Sequence, residues 1–215
     1  MEVCNTVSRF SLVTASSNGP GTALSLLSDT IESLRKAIAE QSLPGAEDAL
    51  ESIGMLGGAR QDLADALAAS RERILLARLD VRIERRDRIK AVRLLERRME
   101  ILLSTGRSLC RAGANLIRHG DEPDPALVQS LDELAAAIRH IRPMVSGGVE
   151  ADSVREKALN AAVTGSEVYA SSPGPAASVL IGQIRSAVID ILRITGLNQS
   201  QAVAALEEAA GRATS

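Results

Sequence analysis

Apolar residues recur along this chain in steps of three and four, and the steps restart at proline and glycine. Leu24, Leu27, Ile31, Leu34 and Ile38 follow a 3-4-3-4 spacing, which predicts a helix over 22–41. Leu43, Pro44 and Gly45 interrupt it, and Pro44 suits the first turn of another helix. That second run covers 46–79, with Leu50, Ile53, Leu63 and Leu67 on one stripe and a bend expected at Gly57 and Gly58. Over 80–88 the pattern is mixed, and a helix continuation and a short charged connection both fit. The clearest helix covers 89–118, where Val92, Leu95, Met99, Leu102, Gly106, Leu109, Gly113 and Leu116 keep the alternation. Two of these seam positions are glycine, one heptad apart. Gly106 and Gly113 therefore predict a face on which another helix closes tightly. Gly120 supplies a left-handed cap.

The pattern resumes at Asp124 and Pro125, an N-cap followed by a first-turn proline, and Leu127, Leu131, Leu134, Ile138 and Ile141 continue it until Pro143. A further amphipathic helix is expected over 149–170. Pro173 and Pro175 separate it from a helix over 176–195 whose apolar arc is wide enough for burial between neighbours. After Gly196, Asn198 and Gln201 have capping-box spacing and start a short last helix. No segment reads as a strand. The fold class is therefore all-α, an antiparallel helical bundle of five to seven helices with coiled-coil-like seams. Residues 1–20 show no period and read as a disordered lead. Residues 21–215 read as one bundle domain, with a sub-boundary near 143–149 as the other division.

Composition narrows what such a bundle can do. Of 215 residues 45% are hydrophobic but only 1% aromatic, namely Phe10 and Tyr169, so the core is aliphatic. Stacking platforms for single-stranded nucleic acid are excluded, because they need aromatic faces. No window holds about 18 apolar residues in a row, so no membrane span is expected from sequence. Cys4 and Cys110, far apart, make no disulfide framework and favour a reducing compartment.

Charge is near balance overall, at −2, but unevenly placed. From Arg71 to Arg98 there are eleven Lys or Arg against five Asp or Glu; the rest of the chain carries fourteen against twenty-two. The basic residues Arg82, Arg85, Arg86, Arg88, Lys90 and Arg93 have three readings. They form a solvated helix face laced with Glu84, Asp87 and Glu96, or contact an anionic lipid surface, or contact nucleic acid. The last ranks lowest, since no aromatic residue interleaves.

Chemistry-bearing patterns are scarce. There is no metal constellation: His119 and His140 are the only histidines, and neither belongs to an H-x-x-x-H or C-x-x-C pattern. No phosphate loop, dinucleotide fingerprint or nucleophile elbow occurs, so no catalytic residue, cofactor or metal is assigned and an enzyme is not expected. Arg107, Arg111 and Asp190 lie beside apolar seams. They are either surface charges or a structural ion pair between the glycine-seam helix and the last long helix.

Two segments carry a family resemblance. One runs from Ala59 to Ile141 and includes Arg85-Arg86, the stretch Ser104-Thr105-Gly106-Arg107-Ser108-Leu109-Cys110-Arg111 and Asp124-Pro125-Ala126-Leu127. The other is Ile184 to Leu197, with Asp190-Ile191-Leu192-Arg193-Ile194-Thr195-Gly196. Both resemble the soluble helical domain of the aromatic acid exporter, or fusaric-acid-resistance-like, membrane proteins. The resemblance implies a cytoplasmic module at the inner face of the cell membrane, serving assembly or regulation and not catalysis. It also implies as partners the membrane helices of a parent protein or a separate membrane subunit; the heptad seams point to a homo-oligomer and the basic stretch to an anionic lipid surface. A free-standing adaptor that binds a partner helix and a small-molecule-sensing bundle are the alternatives.

Overall fold

Local capping chemistry sets where the helices begin and end. In this computed structural model, which describes residues 18–54, 82–171 and 173–213, the helices are α1 (Asn18–Ala39), α2 (43–54), α3 (Arg82–Arg118), α4 (Pro125–Val145), α5 (Ala151–Glu167), α6 (Pro175–Ile194) and α7 (Gln199–Ala213). A 3₁₀ turn, Val168–Ser171, closes α5. Asp124 is the N-cap of α4: its Oδ1 accepts the Ala126 N–H at 2.8 Å, and Pro125 fills the first turn. Asn198 and Gln201 form the reciprocal capping box at α7, with both bonds 2.9 Å long. Gly196 ends α6 at φ 109°, where the N–H of Leu197 reaches back to the carbonyl of Leu192.

Three boundaries differ from expectation. The mixed stretch 80–88 is helical from Arg82 on, so α3 is 37 residues long. Pro143 does not end α4, which continues to Val145; a proline near a helix end loses little, because few intrahelical bonds remain to break. α1 begins at Asn18, inside the stretch expected to lead. The rest of that lead, Cys4, Phe10 and the expected bend at Gly57 and Gly58 lie outside the described residues.

The helices close into a ring. α1 packs on α4, α4 on α5, α5 on α6, α6 on α3 and α3 on α1, with α4 also reaching α6 and α7 lying over α5 and α6. One aliphatic core fills the ring and runs unbroken across 143–149, joining Leu131, Leu134 and Ile138 to Val154, Ala158 and Ala161. Most neighbours are antiparallel, as the pairs Arg98–Leu197 and Thr105–Asp190 show for α3 and α6; α4 and α5, joined by the short turn 146–150, are tied by bonds from Ser130 to the carbonyl of Ala161 (2.6 Å) and from Thr164 to Glu133 (2.9 Å). On the α1–α4 face, Glu32 bonds Arg35 (3.0 Å) and Arg139 (3.3 Å), and chiefly the Arg35 bond holds its carboxyl below the usual value. α1 and α3 are parallel, because α2 runs back between them: Glu47 pairs with Arg118 at 2.7 Å, and Ile53 lies at Gly106.

The expected close approach at the two glycines is present. A Cβ on Gly106 would stand 2.5 Å from the Leu27 Cδ1, and one on Gly113 only 2.7 Å from the Leu34 Cδ1. Leu27 and Leu34 are also one heptad apart, so α1 and α3 hold a single register through two matched notches.

α6 is long and apolar enough, by length and composition, to cross a bilayer, which the count of uninterrupted apolar residues did not suggest. In the fold it is the central strut: Leu180, Ile181, Ile184, Val188, Ile191 and Leu192 are buried among α3, α4, α5 and α7.

Candidate functional site

The densest group of polar side chains surrounds the C-terminal end of α6. The last carbonyls of a helix have no intrahelical partner and carry the negative end of its dipole. Two arginines from different helices meet them. Arg98 of α3 donates to the carbonyls of Arg193 and of Leu197, the latter at 3.2 Å. Arg155 of α5 donates to the carbonyl and to the Oγ1 of Thr195, each at 2.9 Å, and is braced by Asp152 at 2.6 Å. Thr195 is fully buried. Burial, and then the nearby charge of Arg193, holds Arg98 below the usual guanidinium value, though an arginine remains charged.

One turn before this clamp lies Asp190, buried at 7% exposure. Its Oδ2 accepts a 2.7 Å bond from the Thr105 hydroxyl of α3, and its Oδ1 is 3.9 Å from Arg193. The glycine-seam helix and the last long helix are thus joined at Asp190 by a threonine hydrogen bond and not by the expected ion pair with Arg107 and Arg111. Arg107 and Arg111 are exposed on α3, and neither makes an ion pair among the described residues. Thr105 stands in their place because it faces α6.

Burial pushes the Asp190 carboxyl above its ordinary value, outweighing the Thr105 bond and the Arg193 charge. The folded chain thus takes up this proton at a higher pH than the unfolded chain. Ionised Asp190 costs stability at neutral pH, and the cost fades as pH falls through the folded pKa. Asp190→Asn keeps an acceptor for Thr105 without the charge. It is expected to exceed the wild type by about 1 kcal/mol near neutrality, with the gap closing toward about pH 4. Urea denaturation of both proteins at the two pH values checks this; a variant less stable than wild type at neutral pH would contradict it.

The basic stretch has a geometry of its own. Gly106 faces Leu27 and Gly113 faces Leu34 in parallel, so Asn18, where α1 starts, lies level with Arg97. Arg98 in turn is level with the end of α6. Residues 82–97 of α3 therefore run past the described ends of both α1 and α6, over about 24 Å at a helical rise of about 1.5 Å per residue. Arg82, Arg85, Arg86 and Arg88 are on the helical backbone of this overhang, and their side chains lie outside the described residues. Val92 and Leu95 are buried on its inner side. Lys90, Arg93, Leu94 and Arg97 are exposed, Leu94 at 48%.

The remaining reactive groups are engaged or enclosed. Cys110 is buried, and burial pushes its thiol up to about 12, so little thiolate forms at neutral pH. The Nδ1 atoms of His119 and His140 bond carbonyls one turn back in their own helices, at 2.8 and 2.7 Å. Among the described residues no three His, Cys, Asp or Glu side chains come together as a metal site. A surface hollow of about 500 Å³ opens beside the α3–α4 turn, between Asp121, Glu122, Leu127, Val168 and Gly174.

Arg98, Thr105, Arg155 and Thr195 were not singled out by the sequence. A signal was there in Gly196, since a glycine cap marks helix-end carbonyls that need donors; which donors come is a matter of packing. No protein-family model, no curated protein and no solved structure matches the chain.

Proposed function

We propose that the chain is a non-enzymatic helical module, an assembly or regulatory domain of an exporter-like membrane protein of the aromatic acid type, held at the inner membrane face. One observation carries the non-catalytic part: the polar cluster at the end of α6 is used to tie helices together. Asp190, Thr105, Arg98, Arg155 and Thr195 lock α3, α5 and α6. The resemblance of Ala59 to Ile141 and of Ile184 to Leu197 supports the exporter part.

The module reading and the small-molecule-sensing alternative differ in a direct measurement. Thermal melting of the full chain with a panel of aromatic carboxylic acids is expected to show no saturable shift. A ligand at about 100 times its Kd stabilises by about 2.7 kcal/mol, so a sensing bundle would show a rise of several degrees. The exporter part is tested by the genomic sequence preceding the codon for Met1. Several in-frame apolar segments of about 20 residues support it, and their absence there and in adjacent genes favours the adaptor.

A further inference from the structure

We propose that the overhanging part of α3, residues 82–97, docks the chain on an anionic lipid surface, with Leu94 entering the headgroup boundary between Lys90, Arg93 and Arg97. The inference rests on the reading of the chain as a membrane-linked module and names the surface that makes the link.

Three observations carry it. The first is register: the segment runs past the described ends of α1 and α6, so neither of these two helices covers its outer side. The second is the face. Positions 90, 93, 94 and 97 are spaced i, i+3, i+4 and i+7 and share one side of the helix, while Val92 and Leu95 anchor the other side in the core. A half-exposed leucine ringed by long basic side chains is the arrangement of an interfacial helix: the apolar group enters the acyl boundary and the cations stay at the headgroups.

The third is charge placement along the molecule. Residues 82–97 carry seven Lys or Arg against three Asp or Glu. The opposite pole, around the C-terminal end of α3, carries Glu40, Glu47, Asp48, Asp121 and Glu122 against Lys36, Arg111 and Arg118, with Glu40 paired to Lys36 and Glu47 to Arg118. An anionic surface therefore attracts the net-positive segment 82–97 more strongly than the net-negative pole around the α3–α4 turn, which sets the molecule with this segment first. Nucleic acid is the poorer fit, because the exposed face presents a leucine and no aromatic group for base stacking.

Co-sedimentation of the full chain with vesicles of phosphatidylcholine alone, or mixed with phosphatidylserine, tests the proposal. Binding is expected only to the mixed vesicles, and it is lost at about 1 M salt, where the Debye length falls to about 3 Å. The triple variant Lys90→Gln, Arg93→Gln, Arg97→Gln is expected to bind about 100-fold more weakly, at roughly fivefold per charge. Leu94→Ala is expected to weaken binding several-fold, and both variants keep the wild-type helical circular dichroism. Equal binding to the two vesicle types, no binding to either, or wild-type affinity in the triple variant would overturn it. So would pelleting without vesicles that Asp48→Lys with Glu122→Lys abolishes, which identifies the occupant as the acidic pole of a second copy. This experiment holds no aromatic acid and the melting experiment holds no lipid, so each can fail independently of the other.

Discussion

Gly113→Val is expected to lower the stability of the fold by about 3 kcal/mol, the upper end of overpacking a closed core. For a chain of this size that is a drop of roughly 9 °C in melting temperature. The first added carbon would stand 2.7 Å from the Cδ1, 3.0 Å from the Cδ2 and 3.1 Å from the Cγ of Leu34. All of the outer leucine side chain must move, and Leu34 is fully buried among α1, α3 and α4. At Gly106 the clash is different in kind: the Leu27 Cδ1 is 2.5 Å and the Ile53 Cδ1 3.2 Å from the added carbon, but the Leu27 Cγ is 3.8 Å away, so only the methyl tips of two side chains must give.

Gly106→Ala is accordingly expected to be near neutral, since a helix gains about 1 kcal/mol when alanine replaces glycine. A double-mutant cycle completes the argument. Leu34→Ala costs about 2–5 kcal/mol alone, but about 2 kcal/mol less in the Gly113→Val background, where the valine occupies part of the space. Additive effects in that cycle would show that α1 and α3 do not meet at this notch.

The second large effect is expected at the end of α6. Arg98→Leu with Arg155→Leu removes charged donors from the carbonyls of Arg193, Thr195 and Leu197 and from the Thr195 hydroxyl. Hydrogen bonds from charged groups contribute about 1.5–3 kcal/mol each when the partner stays buried. About 2 kcal/mol per arginine gives a loss of about 4 kcal/mol, or roughly 12 °C. The loss is expected to be local before it is global: amides at the end of α6 and in α7 exchange faster, while α1 and α4 keep their protection. A double variant that melts within about 1 °C of the wild type would show that water satisfies these carbonyls equally well.

Both effects arise where a helix meets something distant in sequence. The notches were legible in part: two glycines a heptad apart on an apolar seam imply a close neighbour, and Gly106 and Gly113 do receive one. Which helix arrives was not legible, because α1, α2 and α4 all present leucine at the same spacing. The clamp was less legible still. Arg98 reads as one more cation in a basic run, and Arg155 as an ordinary charge in the first turns of α5.

The pairing of Asp190 shows the difference most directly. A link between α3 and α6 was foreseen through Arg107 and Arg111, the strongest counter-charges in that part of α3. Residue 107 lies about 200° around the helix from residue 105, at about 100° per residue. The rotation that seats Gly106 on Leu27 turns Thr105 toward Asp190 and leaves Arg107 and Arg111 in solvent.

The sequence by itself determined the helical class, most helix ends and the aliphatic character of the core. Apolar period, prolines and caps act over one or two turns, and their meaning does not depend on what lies across the core. The tertiary structure alone decided the parallel pairing of α1 with α3, the partner of Asp190, the donors at the end of α6 and the register that carries the basic segment past the described ends of α1 and α6. Each of these depends on the rotation and register of one helix against another, which many side chains set together and no short stretch of sequence encodes.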